Sequence, residues 1–206
     1  MKYYLKNIFF VIAYLFMTML TALGISCIGD NLTWLKILLS FLNLGLFCFV
    51  VFLMAYSEGQ TARKVMHSND LSRKVIVETG EDMPIKVHEE YSRIKGYMFG
   101  IFASVPLIIC LIVHLILILA LGENYIGGGV VAGLLYKPFF DVYEYFIWLA
   151  TGQMKVVFWH FFILIYAVPF LSCLTGIAYN LGAKKIQKQY DKISAQQELI
   201  YGKKKK

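Results

Sequence analysis

Four long runs of apolar residues without a charged side chain dominate this sequence. They cover residues 8–28, 37–56, 97–122 and 156–181. An α-helix needs about 20 residues to cross a hydrocarbon layer roughly 30 Å thick, and each run reaches that length. Lipid offers no partner for backbone N–H and C=O groups, so a run that crosses it must be helical. We therefore expect an all-α integral membrane protein with four transmembrane helices in two antiparallel hairpins.

The overall composition agrees with this prediction. Hydrophobic residues make up 59% of the 206 residues, and charged residues only 16%. A soluble domain is about 45–50% apolar and about 25% charged. The composition therefore excludes a soluble globular enzyme, a disordered chain and a secreted disulfide scaffold. The four cysteines lie within or at the end of apolar runs with no C-x-x-C pair, so we expect neither a zinc site nor disulfides.

Basic residues alternate along the connecting segments. Residues 57–96 hold seven Lys and Arg and residues 182–206 hold eight lysines, whereas residues 123–155 hold only two. Segments rich in Lys and Arg stay on the cytoplasmic side of a membrane. Both termini and the 57–96 loop are thus predicted to be cytoplasmic, and we expect a multi-pass protein of the cell membrane. The first run is too long for a signal peptide and has no A-x-A site after it, so we expect it to be retained.

The cytoplasmic loop, residues 57–96, is longer than a plain connection. Residues 57–66 are expected to continue the second transmembrane helix. The segments at residues 75–79 and 84–88 are rich in β-branched side chains and flank a turn sequence that contains Gly80. This pattern predicts a small cytoplasmic β-hairpin.

The outer segment, residues 123–155, is predicted to form an interfacial helix. Three consecutive glycines at 127–129 interrupt any helix there, and residues 138–149 are rich in aromatic side chains with only two charges. That composition suits a helix lying at the membrane surface, with a re-entrant dip between the spans as the alternative.

The C-terminal tail, residues 182–206, is basic and amphipathic. Apolar residues recur at helical spacing at Ile186, Tyr190, Ile193 and Ile200, and lysines and glutamines fill the other face. Aromatic residues are too sparse among them for nucleic-acid binding. Near an anionic bilayer surface each lysine is worth about 1 kcal/mol of attraction. We expect contact with anionic lipids through Lys184, Lys185, Lys188, Lys192, Lys203, Lys204, Lys205 and Lys206.

His114 lies deeper within its apolar run than His160, which is at the start of the fourth. Helical rise puts it at a depth similar to that of four polar residues on the other spans, namely Thr21, Ser40, Asn43 and Tyr166. Two uses of such a cluster stay open. Its members either fix helix register through hydrogen bonds or form a site for a proton or a polar solute.

Small residues repeat at four-residue spacing on the third and fourth spans. The third carries Gly96, Gly100 and Ser104, and the fourth carries Ser172 and Gly176. Such stripes allow helix backbones to approach closely in lipid, so we expect them to mediate helix packing. Pro106 and Pro169 are expected to kink their spans because each lacks the backbone N–H that a helical hydrogen bond needs.

No motif for catalysis, cofactor binding or metal binding occurs in the sequence, which contains no H-E-x-x-H, G-x-S-x-G or P-loop. We therefore expect a non-enzymatic protein without a cofactor or a metal. One open function is a small docking or accessory subunit of a membrane complex, with protein partners or a second copy of itself. The other is a small transporter or channel-like subunit with a polar site around His114 and Asn43.

Overall fold

The computed structural model describes residues 2–29, 32–80, 83–121, 137–139, 141–142, 145–146, 149–150 and 164–201. Regular secondary structure in these residues is helical throughout, which confirms the all-α class for this part of the chain. The α-helices are α1 (Lys2–Ser26), α2 (Thr33–Thr79), α3 (Arg93–Ala103), α4 (Val105–Leu121) and α5 (Ala167–Tyr201). Short 3₁₀-helices at Val87–Glu89 and Leu164–Tyr166 precede α3 and α5.

Two of these helices are long and apolar enough to cross a membrane, namely Lys6–Ser26 of α1 and the whole of α2. A third span results if α3 and Val105–Val113 of α4 are taken as one bent helix. Large apolar side chains such as Phe9, Met17 and Leu46 are exposed on the outward faces of α1 and α2. Exposed apolar surface of this extent is typical of helices that contact lipid. The first eight residues of the predicted fourth span, 156–163, lie outside the described residues.

α2 is far longer than a membrane is thick. Its 47 residues extend about 70 Å at 1.5 Å per residue. The expected extension through residues 57–66 is confirmed, but α2 then continues to Thr79, so the prediction of a β-strand at residues 75–79 is wrong. The helix ends at Gly80, which has a φ of 72° and donates its N–H to the Ile76 carbonyl. Glycine adopts this left-handed conformation without strain from a Cβ atom.

The chain after α2 folds back along the helix instead of pairing as a strand. The Lys86 backbone N–H donates a hydrogen bond of 3.2 Å to Asn69, and the Asn69 side chain donates one of 2.8 Å to Glu90. Arg73 forms an ion pair with Glu90. These contacts hold α2 in a helix through Arg73, and the helix then continues over residues 75–79 to its glycine cap in spite of their weak β preference.

Contacts between side chains establish the relative directions of the first helices. Thr21 of α1 donates a hydrogen bond of 2.6 Å to Asn43 of α2, and Asn7 donates one of 2.6 Å to Glu58. The residue numbers rise along one helix as they fall along the other. α1 and α2 are therefore antiparallel, as the short connection between them requires.

α2 and α5 run in the same direction. Arg63 of α2 donates a hydrogen bond of 2.7 Å to Gln187 of α5. Further along both helices, the rings of His67 and Tyr190 stack with their centroids 3.8 Å apart. The residue numbers rise together, so the two helices are parallel over this stretch.

The helix break between α3 and α4 lies at Ser104, and the two helices meet at an angle of 45°. Pro106 lacks the N–H that would bond to the carbonyl four residues earlier, so the predicted kink there is confirmed. Pro169, by contrast, lies in the first turn of α5. A missing N–H at that position removes no helical hydrogen bond, so the kink predicted at Pro169 is not required within α5.

The described residues of the outer segment are helical and pack against α2. The ring of Phe139 meets that of Phe47 edge to face with centroids 6.1 Å apart, and Phe146 meets Phe41 at 5.4 Å. Phe47 lies near the middle of the predicted second span, residues 37–56. The contact therefore favours the re-entrant alternative over a helix that stays at the surface.

Replacement of Val77 by Ala tests whether the end of α2 is helical in solution. Val77 is 86% exposed, so packing contributes little. Ala favours a helix over Val by about 0.5 kcal/mol, whereas a strand favours Val, so we expect about twofold slower amide exchange in the last turns of α2. Hydrogen exchange measured by mass spectrometry reports the change, with Val77→Thr as the β-branched control. Faster exchange in Val77→Ala would contradict the helix.

Candidate functional site

α5 approaches α2 so closely that only glycine fits at two points of the contact. A Cβ atom added at Gly59 of α2 would lie 2.7 Å from the carbonyl carbon of Tyr179 in α5. One added at Gly182 of α5 would lie 2.9 Å from the carbonyl carbon of Tyr56. Both obstructing groups are backbone, which cannot rotate away. The absent side chains therefore set the distance between these helices.

The predicted small-residue stripe on α3 packs against α5. A Cβ atom at Gly96 would lie 2.6 Å from the Cβ atom of Tyr179, and one at Gly100 would lie 2.5 Å from the Cα atom of Ser172. Higher residue numbers in α3 thus meet lower ones in α5, so these helices are antiparallel. The predicted packing residues Gly96, Gly100, Ser104, Ser172 and Gly176 are all buried.

Hydroxyl groups of α5 add hydrogen bonds to this contact. Ser172 donates to the Tyr97 carbonyl at 3.0 Å, and Thr175 donates to the Gly96 carbonyl at 2.8 Å. Ser104 is buried as well, but its hydroxyl donates to the Gly100 carbonyl of the neighbouring α3 turn and not to α5. Interhelical hydrogen bonds in membranes average only about 0.6 kcal/mol, so close packing supplies most of the attraction.

Tyr179 is the largest side chain at the centre of this helix junction. It is only 2% exposed, with Gly59 of α2 against its backbone and Gly96 of α3 against its side chain. The Tyr91 ring, just before α3, stacks on the Tyr179 ring at 5.6 Å with an interplanar angle of 10°. Three helices and the segment that leads into α3 therefore meet at one residue.

The predicted polar cluster is only partly assembled. Thr21 and Asn43 bond to each other, and the Asn43 amide also donates to the Thr18 carbonyl at 3.0 Å. Ser40 is 3% exposed, and its hydroxyl has no hydrogen-bond partner among the residues that the structure describes. The Thr21–Asn43 pair favours the role of fixing register between α1 and α2.

The other two members of the predicted cluster are Tyr166 and His114. Tyr166 is 39% exposed, so it does not lie in a closed core. The side chain of His114, in α4, lies outside the described residues. Within the described ranges, no three His, Cys, Asp or Glu side chains come together as a metal site would require.

A cationic cleft of about 360 Å³ opens beside the helix junction. It is lined by Arg63, Tyr91, Arg93, Asn180, Ala183, Lys184 and Gln187. Three of these residues are cations and none is an acid. Arg63 follows the last residue of the predicted second span by seven residues, or about 10 Å, and Lys184 follows that of the fourth by three, or about 5 Å. The cleft thus lies at the level where the predicted spans leave the hydrocarbon layer.

Neutral side chains hold the wall of the cationic cleft in place. Arg63 Nε and a second guanidinium nitrogen donate to the Gln187 side-chain oxygen, the first at 2.7 Å. The guanidinium lies over the Tyr91 ring, 5.3 Å from its centroid. The Tyr91 hydroxyl in turn donates to Asn180 at 2.6 Å. Since Tyr91 also stacks on Tyr179, the packing of the helix junction fixes the cleft.

A second cleft of about 400 Å³ lies on the other side of Lys184. It is lined by Tyr56, Leu181, Lys184, Lys185, Lys188, Gln189 and Lys192. Four of the lysines predicted to contact lipid therefore line one cleft together with Tyr56 of α2 and Leu181 of α5. The remaining four, residues 203–206, lie outside the described residues.

Sequence analysis missed several residues of this site. Gly59 and Gly182 repeat the spacing used on the other spans, because each follows an alanine by four residues at Ala55 and Ala178. This spacing is visible in the sequence, but both glycines lie just beyond the ends of the predicted apolar runs. Arg63 and Arg93 gave no signal, since the cleft brings together segments distant in sequence.

Comparison with known proteins identifies no relative. No family model matches the chain, and neither a curated protein nor a solved structure matches it at a significant level. Its function is therefore argued from the geometry of the helix junction, the clefts and the exposed surfaces.

Replacement of Gly59 by Ala tests the close approach of α2 to α5. The added methyl group meets the Tyr179 backbone, so the helices must separate, and we expect a loss of about 3 kcal/mol of unfolding free energy. Gly45→Ala is the matched control, because a Cβ atom there meets nothing within 4 Å. It should gain up to about 1 kcal/mol from helix propensity. Unfolding in mixed detergent micelles, followed by circular dichroism, measures both. Equal effects of the two variants would refute the contact.

Proposed function

We propose that this chain is a multi-pass, non-enzymatic membrane protein that acts as a small docking or accessory subunit of a membrane complex. Both termini are cytoplasmic in this proposal. The observation that carries it is the continuation of two helices beyond the predicted spans as a paired stalk, which we define as residues 57–79 of α2 and 182–201 of α5.

The helix directions support the four-span topology on which the proposal depends. α1 is antiparallel to α2, α3 is antiparallel to α5, and α2 is parallel to α5. A chain that starts on the cytoplasmic side and crosses four times requires all three relations. The helix directions hold for either orientation in the membrane, and the Lys and Arg distribution in the loops is the argument for cytoplasmic termini.

The stalk reaches well past the membrane surface. At 1.5 Å per residue, its α2 part extends about 35 Å and its α5 part about 30 Å. The Arg63–Gln187 hydrogen bond and the His67–Tyr190 ring stack join the two parts. Such a pair is more rigid than either helix alone and is suited to hold a partner at a fixed height.

Exposed apolar side chains lie at matching heights on the two stalk helices. Leu71 and Ile193 are four and three residues beyond the His67–Tyr190 stack, and both are about half exposed. Val77 and Leu199 are about 14 Å beyond the stack, and are 86% and 68% exposed. These positions are too far from the predicted hydrocarbon layer for lipid to cover them. We infer that a protein partner covers these side chains and thereby removes their apolar surface from water.

Charges introduced at the stalk end test the docking proposal. The double variant Val77→Glu/Leu199→Glu should lose partners that co-purify with the wild type from native membranes in mild detergent at fixed stoichiometry. Thr61→Glu/Ser68→Glu is the control, since both residues are exposed on α2 nearer the membrane. Quantitative mass spectrometry of the purified complexes, with crosslinks mapped onto the stalk, gives the readout. Equal retention of partners by both variants would refute docking at the stalk end.

A small transporter or channel-like subunit is the second candidate, and one ion pair favours it. Lys137 contacts Asp141 at 2.8 Å, and Asp141 is nearly buried. The pair flanks Phe139, which packs against the middle of the predicted second span. Ionisable groups at such depth usually serve transport.

Purified protein in liposomes separates the two functions. The transport proposal predicts a pH-dependent solute or proton flux that His114→Leu and Asp141→Asn each abolish while helicity is kept. The docking proposal predicts no flux above that of empty liposomes. Flux that survives in both variants would contradict a transport site built on these residues.

A further inference from the structure

We propose that the cationic cleft binds the phosphate-bearing headgroup of one anionic phospholipid from the cytoplasmic leaflet. Arg63, Arg93 and Lys184 supply its charge. The inference rests on the membrane orientation in the proposed function and goes beyond it. It assigns a specific site with two arginines outside the basic tail, in place of diffuse attraction by the tail lysines.

The three cations of the cleft are not neutralised by acidic side chains. Arg93 and Lys184 are exposed and make no hydrogen bond or ion pair with residues in the described ranges. Arg63 bonds to the neutral Gln187 side chain. Arg73, further along α2, is by contrast neutralised, because it forms ion pairs with both Asp70 and Glu90. Uncompensated positive charge is therefore a property of the cleft and not of every arginine in this region.

The cleft is also pre-organised for an anion with several oxygen atoms. The Gln187 hydrogen bonds and the Tyr91 ring fix the Arg63 guanidinium. Each of its two terminal amino nitrogens carries two N–H groups and uses one of them on Met66 or Gln187, so one N–H on each is left to bond a phosphate oxygen. A fixed donor loses less side-chain entropy on binding than a free one, so the site gains affinity over an exposed lysine cluster.

The second cleft indicates that the anion is part of a lipid. It shares Lys184 with the cationic cleft and adds Tyr56 and Leu181, the last apolar residues of two predicted spans. A headgroup held by Arg63 and Arg93 would thus leave its glycerol and acyl chains beside an apolar surface at the bilayer edge. A free phosphate ion would make no use of that surface.

Titration of the full-length protein with single lipid species tests the site. Native mass spectrometry in detergent micelles counts bound phosphatidylglycerol, with phosphatidylcholine as the zwitterionic reference. The variant Arg93→Gln/Lys184→Gln removes two charges whose side chains hold no part of the fold. We expect about 5-fold weaker phosphatidylglycerol binding per charge, or roughly 30-fold in total, and no change for phosphatidylcholine.

Matched controls separate a specific site from surface charge. Lys6→Gln/Lys64→Gln removes the same charge at the same depth, since Lys6 adjoins the Asn7–Glu58 contact and Lys64 adjoins Arg63. It should leave the affinity nearly unchanged. Arg63→Lys keeps the charge but loses the paired donors, and it should weaken binding to an intermediate degree. Circular dichroism verifies that each variant retains its helicity.

Two results would overturn the proposal. Equal weakening in the cleft and control variants would assign binding to diffuse electrostatics. Displacement of all bound phosphatidylglycerol by millimolar inorganic phosphate, with the same dependence on Arg93 and Lys184, would assign the cleft to a free anion. Equal retention of partners by the stalk-end variant and its control, with lipid selectivity of the cleft intact, would refute only the docking proposal.

Discussion

The rest of the structure depends on the burial of Tyr179 between two glycines. Gly59 admits the backbone of α5 and Gly96 admits the tyrosine side chain, so three helices converge on one residue. Lipid gives no hydrophobic reward for bringing helices together, and contact must come from close fit and hydrogen bonds. Tyr179 supplies that fit, because Gly59 and Gly96 have no side chains that would keep it out. The three helices therefore pack in a single, well-defined register.

The same packing organises the surface around it. The Tyr179 ring supports Tyr91, and Tyr91 supports the Arg63 guanidinium at the wall of the cationic cleft. The parallel course of α2 and α5 from this point onward creates the stalk. Helix packing, cleft and stalk are therefore consequences of one junction at the predicted membrane edge, and a change at the junction alters all three.

Much of this arrangement was predictable from local pattern. Apolar run length predicted α1 and the first half of α2, and four-residue spacing predicted that Gly96, Gly100, Ser172 and Gly176 lie in helix contacts. The fate of residues 75–79 was not predictable, because their β-branched side chains favour a strand, whereas the contacts of Asn69 and Arg73 with Glu90 in the preceding turns join residues that are distant in sequence. The cleft was equally invisible, since it joins Arg63 and Arg93 to α5 across the intervening chain. Hydrophobic periodicity predicts which face of one helix is buried. A site that forms where several helices cross can be identified only from the three-dimensional structure.

The unbroken course of α2 has a mechanical consequence. Because α2 has 47 residues and no proline, it can tilt as one rigid helix about its contact with α5 at Gly59. Helices accommodate a thinner or thicker bilayer by tilting. A tilt of about 10° would swing the far tip, roughly 30 Å from that contact, through about 5 Å. A change in bilayer thickness would thereby move the tip far enough to make or break contact with a partner of the kind proposed to dock at Val77.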